Sequence, residues 1–527
     1  MRPLILMLVY LSGVYSANIL IAYETARRSH QIWIGELAEA LAKKGHNITL
    51  GGSFAKAIEE SEFYHPITFE GIFRTHLQTN RSEHLTSSPL RKLYLNYEYN
   101  YAICNKTYHS KGFNSLWNYP DNFKFDLILI DLTFGPCLYP LIQKFGFPPT
   151  IGFTPSALTP YLSEMFGNAG YSSDFVSPLL KQPLDTSFLG RTESFIFTQL
   201  EIMFKKTWES KALKRLAERM LNDTFDFEDI KRKISLLFVN EFPFLNEAKP
   251  LTPNIIPVGG MHIKKVEELP GILSLIIGNA NQGIVFFTTG TDISQNIFDK
   301  NVKMNFAHAF LRLQQKTVVW RDRLEGDEHP FNDRPSNIVI HKWLPQNDLL
   351  GHLHTKLLIT TGGTMTIQEA LYHGVPVIGI PIYDEHHRNI KFITDNKLGL
   401  ELDYHNLTED AIYEAAYTLL TNPVYLHNME EFAIKIRDQP YDQLKKAVYW
   451  VEYVMRHNSS NGADFLIPKS RDTCHLVAYN VDVYIFVFVF IVIFIVFCLF
   501  VILKFLKLFL KNLRGKRKDQ LKKRKQL

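Results

Sequence analysis

From His341 to Asn389 the chain reads HKWLPQNDLLGHLHTKLLITTGGTMTIQEALYHGVPVIGIPIYDEHHRN, and this stretch decides the fold. It follows an apolar run, Asn337 to Ile340, whose length and β-branching suit a buried strand; the chain then turns at Trp343 to Gln346. A second strand is expected over Lys356–Thr361. It ends at Gly362-Gly363, where glycines permit a tight turn and close backbone approach. Thr364 to His373 reads as a helix with Gly374 in the C-cap place, and Val375 to Pro381 as a third strand. Strand, glycine turn, helix and strand make a βαβ unit whose free N–H groups at the helix start favour an anion such as a phosphate. Thr364 and Thr366 add hydroxyls there. The turn is not a P-loop, since no Gly-Lys-Ser/Thr follows it, and it lacks the GxGxxG dinucleotide fingerprint. A purely structural turn is the plain alternative. Against it stand Trp343, whose indole offers a face to a base, Gln346, which can read an amide edge, and Glu369, which can accept from ribose hydroxyls.

Taken together, WLPQNDLL from Trp343, the Gly362-Gly363 turn, Glu369, HGVPVIGIP from His373 and Asn389 resemble the donor-binding signature of UDP-glycosyltransferases, the family that includes the animal UDP-glucuronosyltransferases. The resemblance continues in LFVN at Leu237, PNIIPVGG at Pro253, NPVYLHN at Asn422 and DQP at Asp438, and so covers nearly the whole chain. It implies an α/β fold of the GT-B kind, two doubly wound Rossmann-like domains facing a cleft, followed by one transmembrane helix. The corresponding division is a signal peptide over 1–16, an acceptor-binding domain over 17–250 and a UDP-sugar-binding domain over 251–460. A linker over 461–482, a membrane helix over 483–503 and a basic tail over 504–527 complete it.

Composition and the chain ends agree with that division. The net charge of +5 is uneven: from Lys504 onward there are eleven Lys or Arg and one Asp, net +10, which leaves −5 for the remainder and argues against nucleic acid as a partner of the main body. The apolar segment Val483–Leu503 is uninterrupted and long enough to span a bilayer, and basic residues after it belong in the cytosol. Met1-Arg2, the apolar PLILMLVYL and the small residues at Ser16-Ala17 have the parts of a signal peptide. The reading is therefore a single-pass type I protein with a luminal body. The closing Lys523-Arg524-Lys525-Gln526-Leu527 resembles a dilysine retrieval signal, which implies the endoplasmic reticulum membrane. Six Asn-x-Ser/Thr sequons, at Asn47, Asn80, Asn105, Asn222, Asn406 and Asn458, all precede the span. Four cysteines are too few for a disulfide scaffold; pairing among Cys104, Cys137 and Cys474 is left open, and Cys498 falls in the span.

The mature chain opens with a strand at Asn18–Tyr23, a polar loop, a helix over His30–Lys44 and a strand from His46. His30 stands where strand gives way to helix, at the edge where open α/β sheets bind ligands. A helix N-terminus disfavours imidazolium, so His30 is expected neutral and able to accept a proton. Asp131 closes another strand, Phe125–Asp131, and arrives at the same edge. A carboxylate bonded to one ring nitrogen fixes the tautomer and stabilises the imidazolium that forms. A purely structural His30 is the alternative on residue types alone; in UDP-glycosyltransferases the matching His is the catalytic base and the matching Asp its partner. No GxSxG, HExxH or zinc-ligand cluster lies near, so neither a hydrolase triad nor a catalytic metal is expected.

The resemblance extends the donor site to the turn at Thr288, Gly290 and Thr291, near the diphosphate. Three positions depart from the family pattern. Thr361 stands where a His usually precedes Gly-Gly, and Glu385 and His386 stand in place of the usual Asp-Gln pair that holds the sugar hydroxyls. The His386-His387-Arg388 cluster fits a carboxylated sugar or a solvated basic loop equally well. The implied activity is inverting transfer of a sugar, glucuronate or glucose, from a UDP-sugar co-substrate to a hydroxyl of a small lipophilic acceptor, with no other cofactor. The competing reading is a catalytically silent family member that binds a lipophile, nucleotide or partner in the lumen. Oligomeric state, a homo-oligomer included, is left open.

Overall fold

The computed structural model describes residues 16–55, 62–78, 83, 87–120, 122–168, 176–180, 187–242, 245, 249–290, 297–322, 337–457 and 463–525. Residues 1–15 of the signal peptide expected over 1–16, Thr291, and the sequons at Asn80 and Asn458 lie outside the described residues. The chain forms two compact units, a body up to Pro468 and a second unit over Lys469–Leu527.

Two parallel sheets build the body. The first runs β3-β2-β1-β4-β5-β6-β7, from strands β1 (Asn18–Ala22), β2 (Asn47–Gly52), β3 (Tyr64–Thr68), β4 (Leu127–Asp131), β5 (Thr150–Thr154), β6 (Ile234–Val239) and β7 (Ile255–Pro257). A parallel sheet is covered on both faces, which is why its strands read as unbroken apolar runs. Leu20, Ala22, Ile128 and Ile130 enter one core, while Ile19, Ile21, Leu127 and Leu129 enter the other. Helix α1 (Arg28–Lys43) puts Trp33, Ile34, Leu37 and Leu41 into the second of these cores. Helix α2 (Pro89–Tyr108) borders the first core, where Cys104 and Cys137 form a disulfide.

The second sheet runs β10-β9-β8-β11-β12-β13, from β8 (Ile284–Thr288), β9 (Thr317–Arg321), β10 (Ile338–His341), β11 (Thr355–Thr360), β12 (Val377–Gly379) and β13 (Gly399–Glu401). Helix α3 (Thr364–His373) follows β11, and Gly374 closes it with φ 77°, the left-handed cap expected of that glycine. Helix α4 (Asp384–Asp395) follows β12. In both sheets the strand order reverses at one place, between β1 and β4 and between β8 and β11; such switch points open the crevice in which α/β folds bind ligands.

Two segments within the expected 251–460 range join the first sheet or its core. The strand at NIIPVGG is β7, which pairs with β6 through Leu237↔Ile255, while β6, inside the expected 17–250 range, pairs with β5 through Ile151↔Leu236. Apolar run length identifies a buried strand but not which sheet receives it. Helix α5 (Gln443–Arg456) likewise returns to the first domain, packing Ala447, Val448, Val451 and Val454 into the core of Ile19 and Ile21. The polypeptide thus crosses between the domains at Val258–Pro270 and again near Arg437.

In the second unit, helix α6 (Val481–Lys525) contains one stretch, Val481–Lys518, long and apolar enough to cross a membrane. The basic residues beyond Leu503 continue that helix, so the tail expected after the span is its last turns.

Candidate active site

The first-domain half of the site forms at the β1/β4 switch point. His30 lies inside the first turn of α1, slightly further into the helix than expected, and is 4% exposed. Its pKa is held well below the usual histidine value, first by burial and then by the positive charges of Arg27 and His76. The imidazole is therefore a neutral proton acceptor at physiological pH. Its ring stacks on Phe134, with centroids 6.4 Å apart and planes 16° apart. Asp131, the last residue of β4, is fully buried, and its Oδ1 accepts from the Thr133 amide at 2.9 Å and hydroxyl at 2.6 Å. Burial pushes its carboxyl up to about 6 despite those bonds.

No hydrogen bond joins His30 to Asp131. His30 Nδ1 and Asp131 Oδ2 are both buried and both without a hydrogen-bond partner among the described residues. The structure brings the pair to one switch point and leaves each with an unused atom. Sequence reasoning missed a third member: Glu24, 1% exposed, has both carboxylate oxygens buried without a partner. Burial, then the charge of Asp131, raises its pKa well above the carboxylate range. The only signal was an acidic residue ending the apolar run of β1.

The second-domain half is wired internally. Thr288, ending β8, accepts from the Gly290 amide at 3.1 Å, and Gly290 has φ 87°. Thr361 donates its hydroxyl to the Thr289 carbonyl at 3.0 Å, tying the β8 turn to the β11 turn. Gly362 has φ 95°, and a Cβ there would fall 2.8 Å from Ile390, so the position requires glycine. Asn389 donates to the Gly362 carbonyl and the Thr364 hydroxyl, both at 2.9 Å; it buttresses the turn from behind. The Glu385 carboxylate accepts from the Thr364 hydroxyl. Burial alone would raise the pKa of Glu385, but Arg27, His386, the Thr364 bond and Arg388 together hold it below the usual value.

Around the helix start, Gln346 donates to Thr366 Oγ1 at 3.1 Å and to Glu369 Oε2 at 2.6 Å. Burial pushes Glu369 up to about 7, partly offset by the Gln346 bond and the charge of Arg321. Its other oxygen lies 3.5 Å from Nε2 of His262, a fully buried imidazole in the interdomain crossing whose pKa falls to about 4. No spacing or motif in the sequence distinguished His262. Trp343 is 47% exposed, with the guanidinium of Arg28 at 4.2 Å and of Arg321 at 5.1 Å from its ring centroid.

One cleft gathers much of this. His30, Ser29 and Arg27 line it from the first domain, and Gly290, Thr361, Gly363, Thr366, Glu385 and His386 from the second. Asp131, Asn389, Trp343, Gln346 and Glu369 are not among its lining residues. A larger cavity of about 560 Å³ between α1, the Gly259–Glu267 crossing and Arg437–Leu444 contains none of the expected site residues.

Residues 15–518 match the family model described as UDP-glucoronosyl and UDP-glucosyl transferase. The chain belongs to the UDP-glycosyltransferase family. It is 29% identical over 463 residues to UDP-glycosyltransferase UGT5 of Dactylopius coccus, covering 86% of this chain and 85% of that one. It is 28% identical over 525 residues to human UDP-glucuronosyltransferase 2B15, covering 93% and 94% respectively. Among solved structures it resembles the calicheamicin glycosyltransferase CalG4, with a TM-score of 0.55 at 16% identity over 83% of this chain and 98% of that one. The two-domain GT-B fold is thereby established, and the protein is a glycosyltransferase.

Against that family background the departures at Thr361, Glu385 and His386 acquire local explanations. The Thr361 hydroxyl is already committed to Thr289, so it braces the turn. Glu385 keeps a carboxylate at the cleft wall, bonded to Thr364. His386 lies edge-on to Tyr383 with centroids 5.2 Å apart, 9% exposed, which makes it part of the wall and not a residue of a solvated basic loop.

Proposed function

We propose that the protein transfers a sugar, glucuronate or glucose, from a UDP-sugar to the hydroxyl of a small lipophilic acceptor with inversion at the anomeric carbon. One observation carries the reading: His30 of the first domain lines the same cleft as Gly363, Thr366 and Glu385 of the second. A proton acceptor and an anion-binding helix start thus face one another across a space where an acceptor oxygen and an anomeric carbon can meet.

In this mechanism the neutral His30 takes the acceptor's hydroxyl proton as the acceptor oxygen bonds to the anomeric carbon. The bond from that carbon to the β-phosphate oxygen breaks, and UDP leaves with the electron pair. Asp131 steadies the imidazolium through a bond from Nδ1 to the unused Oδ2, two buried atoms that both lack a partner among the described residues. Developing negative charge on the diphosphate is met by backbone N–H groups at Gly290, after β8, and at Gly363 and Thr366, at the start of α3. Trp343 stacks on uracil once the arginines shift aside, Gln346 reads its edge and Glu369 accepts from the ribose. Glu385 and His386 face the sugar. The apolar helix α6 anchors the protein, with the body in the lumen of the endoplasmic reticulum.

The test is UDP release from membranes carrying the protein, with UDP-glucuronate, UDP-glucose and UDP-N-acetylglucosamine offered separately alongside a phenol and sterol acceptor panel. Acceptor-dependent release with one donor is expected. His30→Ala should lower it by about 10²–10⁴-fold while UDP still binds. Release that persists in His30→Ala removes the base assignment; UDP binding without release from any donor favours the silent reading.

A further inference from the structure

Lys92 is a lysine in an unusual place. It is 9% exposed and lies in the first turn of α2, after the Ser88 cap and Pro89. Lysine is almost never buried unless paired, and a cation near a helix N-terminus opposes that helix's own dipole. Nothing in α2 itself accounts for the charge there. Its partner is across the cleft: the ammonium donates to both oxygens of Asp384, at 2.8 and 2.7 Å. Asp384 is the first residue of α4, where an anion suits the helix dipole, and its side chain is 22% exposed.

This contact differs from the other polar links between the domains. Gln368 on α3 donates to Asn240, just after β6, at 3.0 Å, and both are essentially fully buried. Lys264, in the crossing segment, pairs with Glu36 of α1 at 2.7 Å, and both line the larger cavity. Lys92–Asp384 bonds the first residue of the helix whose next two residues, Glu385 and His386, line the cleft, where the charge of Arg27 from the first domain also acts on Glu385. We propose that Lys92 and Asp384 are positioning residues: a cross-cleft latch that fixes the first turn of α4, and with it Glu385 and His386, against the His30 side. The inference rests on the proposed transfer reaction and adds to it how the two half-sites are held in register. Partial desolvation makes the pair sensitive, because removing Asp384 strands the buried Lys92 ammonium and removing Lys92 leaves a part-buried carboxylate unpaired.

The test uses the full-length protein in membranes or detergent, comparing wild type with Lys92→Met, Asp384→Asn, Lys92→Arg and the exchanged double variant K92D/D384K. Each single neutral variant should lose about ten- to a hundredfold in kcat/KM for the UDP-sugar. Affinity for UDP alone should change by less than about threefold, since the nucleotide contacts lie within the second domain. Lys92→Arg and the exchanged pair should each recover to within about fivefold of wild type, because they restore opposite charges. Amide hydrogen exchange over 384–389 supplies a readout that needs no turnover: protection falls in the single variants and returns in the exchanged pair. If Lys92→Met leaves both exchange and kcat/KM unchanged, or if it loses UDP binding and thermal stability along with activity, the latch is wrong. If wild type transfers no sugar from any donor, the reaction fails, and exchange over α4 still decides the latch.

Discussion

The two halves of the cleft differ in how fully their polar groups are bonded. In the second domain Thr361, Asn389, Glu385, Gln346 and Glu369 direct hydrogen bonds to one another or to the turn backbone, with Asn389 Oδ1 the one atom of these five side chains left buried without a partner among the described residues, so the donor side is largely shaped before any ligand arrives. In the first domain Glu24, His30 and Asp131 are buried with unused polar atoms. An unsatisfied buried polar group costs about 1–3 kcal/mol, so this cluster is held in place at some expense to stability. The contrast fits two tasks. A nucleotide is recognised best by a rigid, pre-shaped turn, whereas a general base must keep a lone pair and a free partner for the moment when it becomes charged.

The largest effect expected from that contrast concerns Asp131. Asp131→Asn should lower transfer by about a hundredfold or more, because an amide cannot balance the imidazolium on His30. The same substitution should help the fold at neutral pH. The carboxyl rises from 3.8 to about 6 in the folded protein. A raised pKa means that folding favours the protonated form; its contribution is fully present below about pH 4 and is lost as the pH rises through about 6. Two units correspond to about 3 kcal/mol. Relative to wild type, Asp131→Asn should therefore gain about that much between pH 4 and pH 7, read by urea unfolding of the protein at a series of pH values. A flat difference would mean that Asp131 is already paired with His30, and the contrast between the halves would dissolve.

Glu369 tests the other half, and its effect is smaller. With its carboxyl pushed up to about 7, the ionised acceptor that a ribose hydroxyl prefers is lost as the pH falls through neutrality. UDP affinity, measured by calorimetry, should weaken toward about tenfold per pH unit below 7 and level off above it. Glu369→Gln should flatten that profile and leave a weaker, pH-independent affinity. A wild-type profile that is flat across this range would show that Glu369 does not contact the nucleotide.

Much of this was legible in the chain, for identifiable reasons. The βαβ unit around Gly362-Gly363 could be read because glycine, helix and C-cap each leave a local signature; helix α3 runs over the expected Thr364–His373. His30 and Asp131 could be placed because strand ends are visible as the ends of apolar runs. Pairing was not legible. The membership of β7 in the first sheet, the return of α5 to the core of Ile19, and the Cys104–Cys137 bond depend on which distant segments meet. Glu24, His262 and Lys92 were missed for the same reason. Each is an ordinary residue type whose meaning comes from burial and from a partner far along the chain.

The smallest effect separates bracing from contact within the donor turn. Thr361 stands where the family pattern has a histidine on the diphosphate, and its hydroxyl donates to the Thr289 carbonyl at 3.0 Å. Thr361→Val keeps the shape and removes only that donor. If the hydroxyl merely ties the β8 and β11 turns together, the loss is one neutral hydrogen bond, about 0.5–1.5 kcal/mol, or about three- to tenfold in donor KM with kcat nearly unchanged. If it instead rotates to the diphosphate when donor binds, the lost bond is charge-assisted, about 1.5–3 kcal/mol, and kcat should fall with it by about ten- to a hundredfold. The committed geometry at Thr289 predicts the smaller, KM-type change. A kcat-type loss would mean that this side of the cleft also keeps a donor in reserve for the transition state, so that the two halves differ in degree and not in kind.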